Sequence, residues 1–341
     1  MNHVINTDEL LQEVSPEAPC GEDLEYDPEF VAMEKASEGK AVQQVGDSII
    51  PAQDPNWRSV KNKALELNQR TKDLRVAVYL TQAMVPIHGL VGLHDGLTLV
   101  LGLIERYWDD FHPKLDPDDN NDPTIRVNTL LNLCGQTTML RLIREVELAS
   151  AKGLGQVLFR DYLIAEGKLP VPEDTETPPP GLAELGVTFM GCDLEELQEK
   201  AEAVEQSIGL VEAIESALME KVGASHAVAF TPIIEILKEL NGIFVEHLTR
   251  RGAGTPEAEG VSSPGQDQAQ PVTGAVNSRE DVIRVLDLAC DYFRRSEPSS
   301  PVPLLLMRAK NLVSKEFLEI IRDIAPGGVQ EVENIRGPDS G

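Results

Sequence analysis

Apolar residues along this chain recur at helical rather than strand spacing. Leu93, Leu97, Val100, Leu101, Ile104 and Trp108 stand at steps of three, four and seven, which predicts a helix with one buried face. Pro113 and the Asp/Asn/Pro run from Asp116 to Pro123 predict its end. Upstream, Val60, Ala64 and Leu67 line one helix. Leu74, Ala77, Val78 and Thr81 line the next, which Pro86 should end or kink before the segment carrying Gly92, Gly96 and Gly102. Glycine in a helix costs about 0.5–1 kcal/mol relative to alanine, so close helix approach is the expected reason for these three. Downstream, Leu130, Leu133, Cys134, Thr137, Leu140 and Arg141 predict a long helix ending near Gly153, and Arg160 to Ala165 a segment packing back on the same bundle. Gly39 to Pro55 shows no periodicity and reads as a loop.

The second half alternates apolar helices with stretches that cannot pack. Residues 166–190 hold Pro170, Pro172 and Pro178-Pro179-Pro180 and read as a proline-rich linker. In 191–250, Leu194, Leu197, Ala201, Val204, Ile208 and Val211 form a seam of three- and four-residue steps. Gly223 to Ala229 should turn the chain, and Pro232 fits the first turn of a returning helix bearing Ile233, Ile236, Leu237, Leu240, Phe244 and Leu248. Such a hairpin buries little alone and is expected to dimerise or to pack on another domain. Residues 251–276 collapse to Gly, Ala, Pro, Ser, Gln, Glu and Thr and predict a disordered linker. Residues 277–337 predict three short helices, the first capped by Ser278 and faced by Val282, Val285, Leu286, Ala289 and Phe293. About 60 residues make a marginal monomer, so self-association is the natural remedy.

Composition sharpens this picture. With 41% hydrophobic and only 4% aromatic residues in 341, the chain favours helix packing on Leu, Ala and Ile. The fold class expected is all-α: an N-terminal helical bundle over 1–165, a middle helical hairpin and a small C-terminal helical oligomerisation domain, joined by flexible linkers. A formal charge of −27 repels a phosphate backbone, so no nucleic acid partner is expected. The first residues lack a basic segment followed by an apolar one, and no run approaches about 18 consecutive apolar residues, so no membrane insertion and a cytoplasmic location are expected. Cys20, Cys134, Cys192 and Cys290 form no CxxC pair and read as reduced thiols.

Candidate chemistry is sparse. His88, His94 and Asp95 invite a metal reading, but on one helix His94 lies about 120° from His88, and no HExxH pattern occurs. Cys20 with His112 as base has nothing in the sequence to bring it together. Asp116 to Asp122 lacks the calcium-loop spacing, and no phosphate-binding GxxxxGK[ST] motif is present. No enzyme activity, cofactor or metal is therefore expected.

Several ordered blocks carry a resemblance. They are Pro19-Cys20-Gly21-Glu22-Asp23-Leu24-Glu25-Tyr26-Asp27-Pro28-Glu29-Phe30, Asp54-Pro55-Asn56-Trp57-Arg58, Thr71-Lys72-Asp73-Leu74-Arg75-Val76-Ala77, Gly89 to Leu97, and the run from Tyr107 through Pro123. Together they resemble the N-terminal domain of the ImpA-related family, the TssA proteins of bacterial type VI secretion systems. Ser278-Arg279-Glu280-Asp281, Tyr292 to Pro301 and Arg308-Ala309-Lys310 resemble one branch of that family, whose short C-terminal domain builds rings. The resemblance implies a high-order cyclic homo-oligomer at the baseplate or distal cap of the contractile tail, with baseplate, spike, tube or sheath subunits as partners. The subunit contact is expected at Phe293, Arg294, Arg295, Pro298, Pro301, Leu305 and Arg308, where an Arg pair in an acidic protein can meet a neighbour's carboxylates. The competing expectation is a helical adaptor or chaperone that holds one secreted effector without a ring.

Overall fold

Helices dominate the computed structural model, which describes residues 2–39, 43–45, 48–50, 53–172, 178–223, 228–252 and 302–313, with Ile283, Leu286 and Cys290 besides. The order is α1 (Thr7–Leu10), α2 (Pro28–Ser37), β1 (Gln43–Val45), β2 (Ser48–Ile50), α3 (Trp57–Asn68), α4 (Leu74–Tyr107), α5 (Thr124–Leu131), α6 (Met139–Arg144), β3 (Glu147–Ala151), β4 (Gly155–Leu158), α7 (Phe159–Ala165), α8 (Leu182–Gly191), α9 (Leu194–Val222), α10 (Thr231–Arg250) and α11 (Val302–Val313). Polar caps start several of them: the side chains of Asn6, Asp27, Asn56, Asp73 and Asp193 each accept a first-turn backbone N–H.

α4 is the axis of the fold. Its backbone breaks at Gly89 (φ 61°, ψ −141°), a conformation that an L side chain resists, so the kink falls three residues after Pro86. The two limbs then lie against each other. A Cβ on Gly96 would sit 2.7 Å from Thr81 Oγ1 and 2.8 Å from Thr81 Cα, and one on Gly92 would strike the Met84 carbonyl. Close approach is thus the reason for both glycines, and a Cβ on Gly102 would meet Leu11 of the N-terminal segment. Among the described residues α4 is also the one helix long and apolar enough to cross a bilayer, but most of that stretch is buried in protein. The interruptions at His88, Gly89, His94 and Asp95 hide it from a search for unbroken apolar runs.

The all-α expectation needs correction. β1 and β2 pair antiparallel inside the segment read as a loop, and β3 pairs antiparallel with β4 where a long helix was expected to continue. That helix stops because Gly135 turns extended (ψ 120°) after a 3-10 turn over Asn132–Cys134, and α6 restarts only at Met139. The linker expected over 166–190 is also too long. α8 occupies its last third and buries Leu185 and Phe189, since after Pro180 the chain has no further proline to prevent a helix.

The middle hairpin is not a separate domain. α9 and α10 pack on each other, and α9 lies along α4, with Leu197, Val204, Val211, Ile214 and Leu218 buried in the same apolar cluster as Leu93, Leu97 and Ile104. Of the two fates expected for the hairpin, packing on another domain is the one realised here. Met1–Glu257 therefore forms one compact unit and Ala258–Gly341 a second. In the latter, α11 presents Leu305, which is 66% exposed, and Met307 to solvent.

Candidate functional site

The sequence blocks that stood apart along the chain meet at one node at the start of α4. Lys72 N donates to Cys20 O (2.7 Å), His112 N to Lys72 O (2.9 Å) and Leu74 N to His112 O (2.8 Å), so three blocks are stitched backbone to backbone. A Cβ on Gly21 would fall on the Arg70 carbonyl, which fixes glycine where the entry segment crosses the end of α3. His112 Nε2 lies 3.2 Å from the Gly21 carbonyl oxygen, and His112 precedes a cis bond to Pro113.

Charged side chains lock the node. Arg75 donates from Nη2 to Asp73 Oδ2 (2.7 Å) and from Nη1 to Glu25 Oε2 (2.9 Å), and its guanidinium lies 4.9 Å from the centroid of Phe30. Burial opposes its charge, yet the bonds to Asp73 and Glu25 hold Arg75 above its ordinary value. Arg126 is the most deeply committed cation. It donates from Nε to Pro113 O (2.8 Å), from Nη2 to Phe111 O (2.9 Å) and from Nη1 to Trp108 O. It also stacks over Phe111 at 4.1 Å and Trp108 at 5.0 Å. Burial pulls its guanidinium down to about 10, which still leaves it charged at neutral pH. Lys72 donates to Asn68 O (2.8 Å) and Asn68 Oδ1 (3.2 Å), and burial lowers its ammonium.

This arrangement organises backbone. Burial pushes the Cys20 thiol up to about 11, so it stays protonated and a poor nucleophile. His112, the base weighed for it and rejected in the sequence, has its Nε2 3.2 Å from the Gly21 carbonyl oxygen. His88 Nε2 pairs with Lys61 Nζ at 2.7 Å, away from His94. Asp95, by contrast, sits with His94 and with His3, a residue the sequence reading did not connect to it because they lie more than ninety positions apart.

Phe293, Arg294, Arg295, Pro298 and Pro301 lie outside the described residues. Leu305 and Arg308 lie on α11, both exposed.

The node is thus a structural junction in which sequence blocks far apart along the chain hold one another's backbone. Residues 11–135 match the family model described as ImpA, N-terminal, type VI secretion system. The chain is 38% identical over 343 residues to the type VI secretion system component TssA1 of Pseudomonas aeruginosa strain PAO1, covering 97% of this chain and 98% of that protein. It is also similar to a solved N-terminal domain, including the conserved ImpA_N region, of the TssA component from Burkholderia cenocepacia. That likeness has a TM-score of 0.58 at 25% identity and covers 74% of this chain and 97% of that one. This chain belongs to the TssA family of type VI secretion system components.

Proposed function

We propose that this chain is an assembly component of the type VI secretion machinery that acts by geometry and makes or breaks no bonds of its own. Residues 277–337 serve as the oligomerisation domain and close many copies into a high-order cyclic homo-oligomer in the cytoplasm. The unit Met1–Glu257 is the body each copy displays to baseplate, spike, tube or sheath subunits, at the baseplate or the distal cap. A ring repeats one modest docking surface many times, which gives firm yet reversible attachment.

The observation that carries this reading is the extent of the likeness to a type VI component: it runs through 97% of the chain, the C-terminal unit included, and is not confined to residues 11–135. The chemistry of the node agrees, because Cys20, Lys72, Arg75 and Arg126 are all engaged in holding backbone or carboxylates in place. Light scattering on the full-length protein tests it. A discrete particle of about ten or more subunits is expected of a closed ring, while a stable monomer or dimer would favour the adaptor. Cys20→Ser and His88→Ala should leave secretion intact, and loss of secretion with normal assembly would reopen the question of catalysis.

A further inference from the structure

One side-chain cluster outside the node has the makings of a ligand site. The N-terminal segment crosses the second limb of α4, where Val4 N and Ile5 N donate to Asp95 Oδ2 at 2.7 and 3.2 Å. That leaves Oδ1 facing two imidazoles at once, His3 Nδ1 at 2.7 Å and His94 Nδ1 at 3.2 Å. The three donor atoms lie within 4.8 Å of one another, and the ring centroids of His3 and His94 are 5.6 Å apart. Asp95 has no exposed side-chain surface and His94 is buried, whereas His3 is open to solvent, so the cluster has a fixed floor and an accessible wall.

We propose that His3 Nδ1, His94 Nδ1 and Asp95 Oδ1 form a site for one Zn2+-class divalent ion, which fastens the N-terminal segment to α4. Two imidazole nitrogens and one carboxylate oxygen are a donor set that suits zinc and leaves a fourth position for water. Tetrahedral bonds of ordinary length place donor atoms about 3.3 Å apart; the His94 pair at 3.2 Å already matches that spacing and the His3 pair at 2.7 Å is shorter. The required adjustment falls on His3, the ligand that is free to move. Anchoring one carboxylate oxygen by backbone N–H groups while the other ligates is the usual way a metal carboxylate is oriented. Each imidazole binds through an unprotonated Nδ1 and carries its ring proton on Nε2. The site depends on His3, so a metal search confined to one helix cannot find it: His88, the candidate seven residues before Asp95, is paired with Lys61 instead.

The experiment is a titration of the full-length, chelator-stripped protein with Zn2+, followed by calorimetry and thermal unfolding. One equivalent per chain should bind, with a rise in Tm of about 5 °C at saturating metal. His3→Ala, an exposed position, and the shape-conserving His94→Gln should each abolish both signals, while His88→Ala keeps them. Because Cys20, Cys134 and Cys192 are free thiols, Co2+ serves as the spectroscopic probe. Visible d–d bands without a thiolate charge-transfer band are expected. No uptake, uptake that survives both substitutions, or a thiolate band would overturn the proposal and leave a purely hydrogen-bonded latch.

Discussion

The node at the start of α4 and the α9–α10 hairpin are built by opposite means. The node crosses chain segments that carry little regular structure, so their carbonyls and N–H groups need partners, and Arg126, Lys72 and Asp73 supply them while Arg75 braces Asp73. The hairpin satisfies its own backbone within helices and holds its place through an apolar seam of Leu197, Val204, Val211, Ile236, Leu237 and Leu240. Polar groups with fixed geometry leave recognisable sequence blocks, whereas an apolar seam accepts many residues of similar volume. That is why the first region is rich in motifs and the second has none, although both belong to one core.

The comparison is broken most severely at Arg126. Arg126→Ala strips donors from three buried carbonyls and removes a stacked guanidinium, and a loss of about 4 kcal/mol is expected in urea unfolding. Arg126→Lys should recover only a minor part, since one ammonium cannot reach carbonyls spread over residues 108–113. In the hairpin, Leu237→Ala should cost about 2–4 kcal/mol as a cavity beneath α10, and Leu237→Met less than about 1.5 kcal/mol. A hairpin that tolerated alanine but not methionine would contradict the division drawn here.

Legibility follows the same division. The helices of the hairpin and the turn at Gly223 were readable because apolar periodicity and a proline at the start of α10 are local signals. The pairing of α9 with α4 was not, since no motif says which two apolar faces meet. β3 and β4 were missed because Leu148, Ala149 and Val157 carry a bulged, irregular burial pattern instead of clean alternation. Cys20, Lys72, Asp73, Arg75 and His112 were legible as a family signature, but not Arg126, which lies beyond the last block, nor their convergence, which depends on contacts between Cys20, Lys72 and His112 across some ninety residues. His3 carried no signal at all, being a lone histidine near the chain start until Asp95 is placed beneath it.

Smaller effects sharpen the boundary between the regions. Gly96→Ala forces the limbs of α4 apart at Thr81, and overpacking of about 1–3 kcal/mol is expected, with Thr81→Ala restoring part of it in the double mutant. Asp193→Ala removes the cap at Glu196 N and should cost about 1 kcal/mol, read as earlier fraying of α9 by hydrogen exchange.

The least effect is expected from His247, the buried imidazole of the hairpin. It stacks on Phe189 at 3.8 Å between ring centroids and meets Tyr162 edge-on, while Glu246 and Arg250 stand beside it on α10. Burial lowers its folded-state value below that of the unfolded chain, with Glu246 opposing the shift and Arg250 adding to it. The unfolded state therefore binds the extra proton. Stability from this group is complete above the unfolded value near about 6.5 and is lost as pH falls from there through the folded value. Urea midpoints measured from pH 7.5 down to 5 should decline in the native chain, and His247→Phe, which keeps the stack without a titrating nitrogen, should flatten that part of the decline. Cutting the slope by this single change would assign it to the hairpin; an unchanged slope would assign it elsewhere, His88 being another imidazole that burial lowers.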